Sequence, residues 1–214
     1  MQTLKLFTAM TLGVSVAACG NVPDIASRNA PYEVTPPSDS QPASQPLATG
    51  NTERLHAQLP MTVTQININV PRTLTVSEAN SYYPKADIVW RGDPIGDRYA
   101  QITQIFDTAF RAGTKDLSGP TGVILDVELV RFHSVTEKTR YSVGGVHNMV
   151  FNLTVRRAST GAALAPTRQV TADLPALGGR SAIEAERKGQ TQKVRVTNFL
   201  AQAIRQELAR FVSA

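Results

Sequence analysis

From residue 61 onward the apolar side chains recur either at every second position or at spacings of three and four, and each rhythm predicts one kind of element. MTVTQININV (61–70) alternates, but Met61 and Val63 are out of phase with Ile66, Ile68 and Val70. One inserted residue shifts a strand's inward face, so the phase change predicts a bulge near Gln65. Pro71 interrupts the pattern and RTLTVSE (72–78) resumes it. Proline cannot donate to a central ladder, so this is read as an edge strand. ADIVW (86–90) is a second, shorter strand.

A helix follows. Tyr99, Ile102, Phe106, Ala109 and Phe110 fall on one face with Ile105 beside them, behind Asp97 as N-cap and ahead of Gly113 as an expected left-handed stop. GTKDLSGPTG (113–122) reads as a loop. A meander comes next. Val123, Leu125, Val127 and Leu129 share one face of VILDVELVRF (123–132), and His147, Met149, Phe151, Leu153 and Val155 share one face of HNMVFNLTVR (147–156). After a turn at Ser159-Thr160-Gly161, TRQVTADL (167–174) puts Arg168, Val170, Ala172 and Leu174 on one side.

Leu177-Gly178-Gly179-Arg180 breaks the pattern, and AIEAERKG (182–189) reads as a short helix ended by Gly189. The last element is a helix over about 191–212, with Val196, Leu200, Ala203, Ile204, Leu208 and Phe211 on its apolar stripe and Arg210 complementing its C-terminal dipole. The order strand–helix–three strands–helix predicts an α+β domain over 60–214. Its expected form is an antiparallel sheet of about four to five strands with two main helices packed on one face.

The first nineteen residues follow a different logic. Lys5 gives a short positive start, and Leu6 to Ala18 is an uncharged, mostly apolar run of thirteen residues, too short for a mature membrane span. It ends in Val16-Ala17-Ala18-Cys19-Gly20, which looks like a lipobox; Cys19 is the one cysteine of the chain. Residues 1–18 are thus read as a lipoprotein signal peptide and Cys19 as the lipidation site. Two or three acyl chains, each methylene contributing roughly 0.8 kcal/mol, anchor far more firmly than one. Export leaves this cysteine no intramolecular disulfide partner, in keeping with that use. Gly20 and Asn21 follow where an aspartate would retain many Gram-negative lipoproteins at the inner membrane, so the reading leans to the periplasmic face of the outer membrane.

Residues 19–59 read as a tether, with six of the thirteen prolines and a Ser/Gln/Ala/Thr background that offers little apolar surface to bury. About forty flexible residues have an r.m.s. reach on the order of 35 Å. Without Lys5, 21 basic residues face 17 acidic ones, and the excess lies late: 13 Lys/Arg against 7 Asp/Glu over 121–214. That half suits anionic lipid, peptidoglycan or a protein complex of the envelope as partner, and the export signal argues against nucleic acid.

Candidate chemistry is sparse. Trp90-Arg91-Gly92-Asp93-Pro94 with Gly96-Asp97-Arg98 is the densest group of unusual residues. Arg91, Asp93 and Asp97 either grip a ligand at a helix N-terminus or simply form a tight turn, with Trp90 in the core and local Asp–Arg pairing. His133 and His147 end one strand and open the next, near Glu137, but two histidines without a third ligand are a poor metal site, and none is assigned. His56 falls in the tether. The polar stretch Glu184 to Arg195 reads as a solvated helix and connector or as a contact surface. No nucleophile elbow, phosphate loop or dinucleotide fingerprint is present, so no catalytic residue and no cofactor are assigned.

The lipobox, together with VPRTLTVSEANSYYPKADIVWRGDPIGDRYAQI (70–102) and GQTQKVRVTNFLAQAIRQEL (189–208), resembles a group of uncharacterised alphaproteobacterial lipoproteins with a domain of unknown function. That resemblance implies a lipidated Cys19 and no known activity. In element order alone the chain is similar to auxiliary lipoproteins of envelope transporters. The expected function is a non-enzymatic accessory or binding lipoprotein, serving envelope transport, assembly or wall contact. The alternatives are a wall or lipid hydrolase centred on Asp93, Asp97 or the two histidines, and a purely structural membrane tether.

Overall fold

The structure, a computed structural model, describes residues 60–211. The leader, Cys19 and the tether expected over 19–59 lie outside the described residues. The elements are β1 (Met61–Asn69), β2 (Ile88–Val89), α1 (Arg98–Thr114), β3 (Thr121–His133), α2 (Glu137–Arg140), β4 (Gly145–Arg157), β5 (Arg168–Ala176), α3 (Gly179–Arg187) and α4 (Gln192–Arg210). They form a mixed α/β fold around one five-stranded sheet of order β1–β3–β4–β5, with β2 also paired to β3.

The meander β3–β4–β5 is antiparallel as expected, but β1 and β2 both run parallel to β3. The reason is α1. A helix between two strands carries the chain back to the end of the sheet from which it started, and strands joined by such a crossover pair in parallel. β1 lies along β3 from Met61↔Thr121 to Asn69↔Glu128, and β2 takes up the end of the same edge at Ile88↔Phe132 and Val89↔His133. Between them residues 70–87 leave the sheet. The strand expected over 72–78 shrinks to a single bridge, Val76↔Ile88. Pro71 ends the ladder and its carbonyl accepts from the Leu74 N–H at 3.2 Å, turning the chain outward.

Two bulges set the inward phase. The first falls between Val63 and Gln65, where the phase change predicted it. The second, between Leu129 and Arg131, leaves Val130 without a partner on β4 and turns Phe132 rather than Arg131 into the core. Phe106 on α1 then meets Phe110, Phe132 and Phe151 edge-on, at centroid distances of 5.5, 6.2 and 5.4 Å. Val196, Leu200, Ile204 and Leu208 of α4 are fully buried in the same cluster as the inward residues of β3, β4 and β5. Each such side chain contributes roughly 1.5–3 kcal/mol relative to exposure.

Gly113 is not the stop that its position suggested; α1 continues through it to Thr114. A Cβ there would lie 2.5 Å from the Ala201 carbonyl oxygen and 2.6 Å from Ile204 Cγ2, so its missing side chain is what lets α1 and α4 approach. Arg205 of α4 then donates to the Gly113 and Ala112 carbonyls at 2.6 and 3.2 Å, satisfying acceptors that the end of α1 leaves open.

Candidate functional site

Two polar clusters lie where β3 ends and β4 begins, and both include a residue of α2. The first is built on Glu78, in the segment that leaves the sheet. Its Oε1 accepts from Arg98 Nε at 2.6 Å, and its Oε2 accepts from Arg98 Nη2 at 2.9 Å and Arg91 Nη1 at 2.5 Å. Arg91 Nε donates to Glu137 of α2 at 2.8 Å. Arg98 is only 2 % exposed and spends its remaining donor, Nη1, on the Asp93 and Pro94 carbonyls and on Gln101. Two guanidiniums therefore face two carboxylates. The Arg98 hydrogen bond is the main force holding the Glu78 carboxyl below its usual range, with Arg91 adding to it against the cost of burial.

The three sequence candidates of this region have separate partners. Arg91 belongs to the Glu78 cluster. Burial disfavours the ionised Asp93, but its hydrogen bonds from Lys193 Nζ and from the Trp90 indole N–H, both 2.8 Å, outweigh that and hold its carboxyl below the usual value. Asp97 accepts from Arg72 at 3.0 and 3.3 Å, the largest cause of its lowered pKa, and caps α1 by accepting from the Ala100 N–H at 3.2 Å. Trp90 is buried against Phe132. The arginines of the segment pair with Glu78 and Glu137, however, rather than with the aspartates next to them in sequence.

The second cluster surrounds a cavity of about 10 Å³, room for one water-sized atom, lined in part by Val135, Arg140, His147, Gln190, Gln192 and Arg195. Strand alternation puts His147 on the inward side of β4, where it is 1 % exposed. Gln192 Nε2, at the start of α4, donates to Ser134 Oγ, and Ser134 Oγ lies 2.8 Å from His147 Nδ1. With the amide supplying one proton, the serine hydroxyl directs its own at Nδ1, so the ring proton belongs on Nε2. Desolvation, reinforced by the charges of Arg195 and Arg140, pushes the His147 pKa down to about 4, and the ring is neutral at neutral pH. Arg140 pairs with Glu186 of α3 at 2.7 Å and donates to Gln192 Oε1 at 3.4 Å, while Arg195 donates to the Pro175 carbonyl at 2.9 Å.

The two histidines do not converge. His133 stands opposite Asn148 in the β3–β4 register, so His147, one position along, faces the other side of the sheet. His133 Nε2 instead bonds the Pro84 carbonyl at 2.9 Å. Among the described residues no group of three or more histidine, cysteine, aspartate or glutamate side chains gathers to hold a metal. Of the cavity residues, His147 carried a signal in the sequence, because it shares phase with Met149 and Phe151. Gln192 and Arg195 fall in the polar stretch Glu184 to Arg195 noted as a connector or contact surface, whereas Ser134 and Arg140, some fifty residues earlier, carried no signal.

Residues 61–214 match a family of unknown function, DUF6778. The chain belongs to DUF6778. Every strand and helix described above falls within the matched stretch, and so do both polar clusters. No curated protein matches the sequence. Among solved structures, the DUF6778 chain is similar to a protein of Caulobacter crescentus CB15 inferred to be a lipoprotein, at 11% identity over 75% of this chain and 96% of that one, with a TM-score of 0.38. It is also similar to protein XCC0632 of Xanthomonas campestris, of the family DUF330, at 15% identity over 68% and 86% of the two chains, with a TM-score of 0.39. None of the described helices of this DUF6778 member is long and apolar enough to cross a membrane.

Proposed function

We propose that this protein is a lipid-anchored envelope lipoprotein, held by Cys19 at the periplasmic face of the outer membrane, that serves as a non-enzymatic accessory or binding component. The observation that carries the reading is the run Leu6–Ala18 ending in Val16-Ala17-Ala18-Cys19-Gly20. A short apolar core followed by small residues and then cysteine is what lipoprotein processing recognises, and a thiol at that position is the nucleophile that takes the diacylglyceryl group. Arg91, Asp93 and Asp97 each hold a neighbouring part of the fold in place, which gives them structural work.

Mass spectrometry of the protein recovered from its native membranes tests the anchor. The expected product starts at Cys19 and carries glycerolipid on sulfur; a bare thiol, or an intact leader in the cytosol, overturns the reading. Cys19→Ala is expected to move the protein out of the membrane fraction. Crosslinking the lipidated protein in cells is then expected to recover the same envelope partner or wall fragment repeatedly, and recovery of nothing above background counts against the binding role.

A further inference from the structure

The cavity beside His147 is lined by hydrogen-bond donors only part of whose capacity is met by acceptors among the described residues. His147 Nδ1 is taken by Ser134, and among the described residues Nε2, the nitrogen that carries the ring proton, has no hydrogen-bond partner although the residue is 1 % exposed. Arg195 bonds one backbone carbonyl and has no carboxylate partner among the described residues. Arg140 stands close enough to depress the pKa of Arg195, second only to burial as a cause, and its own charge is matched by Glu186. The wall thus holds two guanidiniums, of which only Arg140 has a carboxylate partner among the described residues, Glu186 behind it. Gln192 turns its carbonyl oxygen to Arg140 and its amide to Ser134, so it does not supply the missing acceptor. The start of α4 adds the positive end of a nineteen-residue helix dipole.

We propose that this cavity is a binding site for an oxyanion group, a carboxylate or phosphate, that places one oxygen between His147 Nε2–H and the Arg195 guanidinium. The cavity has space for a single oxygen and is partly open to solvent, so the rest of the ligand lies at the mouth. A neutral imidazole suits this role, because it donates one N–H without adding a third positive charge to the two guanidiniums. An oxygen accepting from His147 and Arg195 satisfies the orphan donor and relieves the repulsion between Arg140 and Arg195 in one step. Charge-assisted hydrogen bonds of this kind are the strong ones, and a forked guanidinium is suited to either acid group.

The test is a titration of the full-length mature chain in detergent, in a buffer free of small oxyanions, with inorganic phosphate and with acetate in separate arms and sodium chloride at matched ionic strength as control. Saturable stabilisation against heat by phosphate or acetate, accompanied by a shift of the His147 ring resonances with the same midpoint, is the expected result. The arm that saturates at lower concentration tells whether the site prefers phosphate or carboxylate. Arg195→Gln is expected to weaken that binding about tenfold or more, read as the loss of oxyanion-dependent stabilisation relative to each protein's own melting in the oxyanion-free buffer. Arg195→Lys, which keeps the charge without the fork, is expected to fall between the two and guards against a glutamine variant that fails to fold. Equal response to chloride and to both oxyanions, or identical responses of the natural chain and the Arg195 variants, would mean that the cavity holds only water and would overturn the proposal.

Discussion

The cluster around Glu78 and the cavity beside His147 share one end of the sheet, and α2 supplies a residue to each, yet they handle buried charge in opposite ways. Around Glu78 a guanidinium that is 2 % exposed is matched by a carboxylate at 2.6 Å, and a second guanidinium is shared between Glu78 and Glu137. Charge is balanced and each guanidinium has a carboxylate acceptor. Around His147 the fold keeps the imidazole neutral and leaves one arginine without a counter-ion among the described residues. The first arrangement clamps the excursion 70–87 to the start of α1. The second leaves the His147 Nε2–H without an acceptor among the described residues, which a clamp does not need. Position in the fold is therefore a poor guide to role; the balance of donors, acceptors and charge separates the two.

The largest expected difference between the clusters is in acid. The folded-state pKa of His147 lies at about 4 against an ordinary 6.5, so between those values the unfolded chain binds more protons than the native one. Stability is then fully present above pH 6.5 and is lost as pH falls toward 4, by about 3 kcal/mol in total. The Glu78 and Asp93 carboxyls, both held low, begin to cost stability only below the ordinary 4.5 and 3.8 of their side-chain types, so the two windows separate. Urea denaturation of the natural chain and of His147→Gln at a series of pH values reads this directly. The natural chain is expected to weaken between pH 6.5 and 4 and the variant to stay nearly flat. Equal slopes would show that the imidazole titrates normally and is not desolvated.

The next effect belongs to the balanced cluster. Glu78→Ala removes the carboxylate that serves two guanidiniums and leaves Arg98 buried with only neutral acceptors. Breaking a fully buried pair costs about 3–5 kcal/mol; the Glu78 side chain is 38% exposed, so solvent screens part of this and roughly 2 kcal/mol is expected. Glu137→Ala, whose side chain is 39% exposed and which pairs with Arg91 alone, is expected to cost under about 1 kcal/mol. If the two variants melt alike, Glu78 is not the centre of the cluster.

How much of this was legible in the sequence depended on the distance over which each feature is encoded. The bulge near Gln65, the inward side of β4 and the apolar stripe of α4 are local periodicities, and the chain states them. The pairing direction of β1 is not local. A strand with one apolar face reads the same in parallel and antiparallel pairs, and only the crossover through α1 decides between them. RTLTVSE has the rhythm of a strand, but Thr75 gives its N–H and its hydroxyl to Asp87, twelve residues away, so no ladder forms there. Glu78 carried no signal because its partners are recruited by the fold: Arg91 and Arg98 lie thirteen and twenty residues on, and Glu137, which shares Arg91, lies forty-six beyond Arg91. The cavity is harder still, since Ser134 and Gln192 are separated by 58 residues.

Asp97 is the counter-case, a residue whose role was legible, and its effect is smaller than that of Glu78. Its Oδ1 accepts from the Ala100 N–H at 3.2 Å, one of the four donors that the start of α1 cannot satisfy internally. It also pairs with Arg72, but the side chains are 46% and 70% exposed, and a pair so open to water contributes little. Asp97→Ala is therefore expected to cost about 1 kcal/mol, nearly all of it from the lost cap. Asp97→Ser keeps an acceptor for Ala100 while giving up the charge, and is expected to recover most of that loss. Salt separates the two contributions: a deficit in Asp97→Ala that persists in 1 M sodium chloride belongs to the cap, whereas one that vanishes belongs to Arg72. In the second outcome the Arg72–Asp97 pair would be a second working clamp between the segment after β1 and the N-terminus of α1, separate from the one around Glu78.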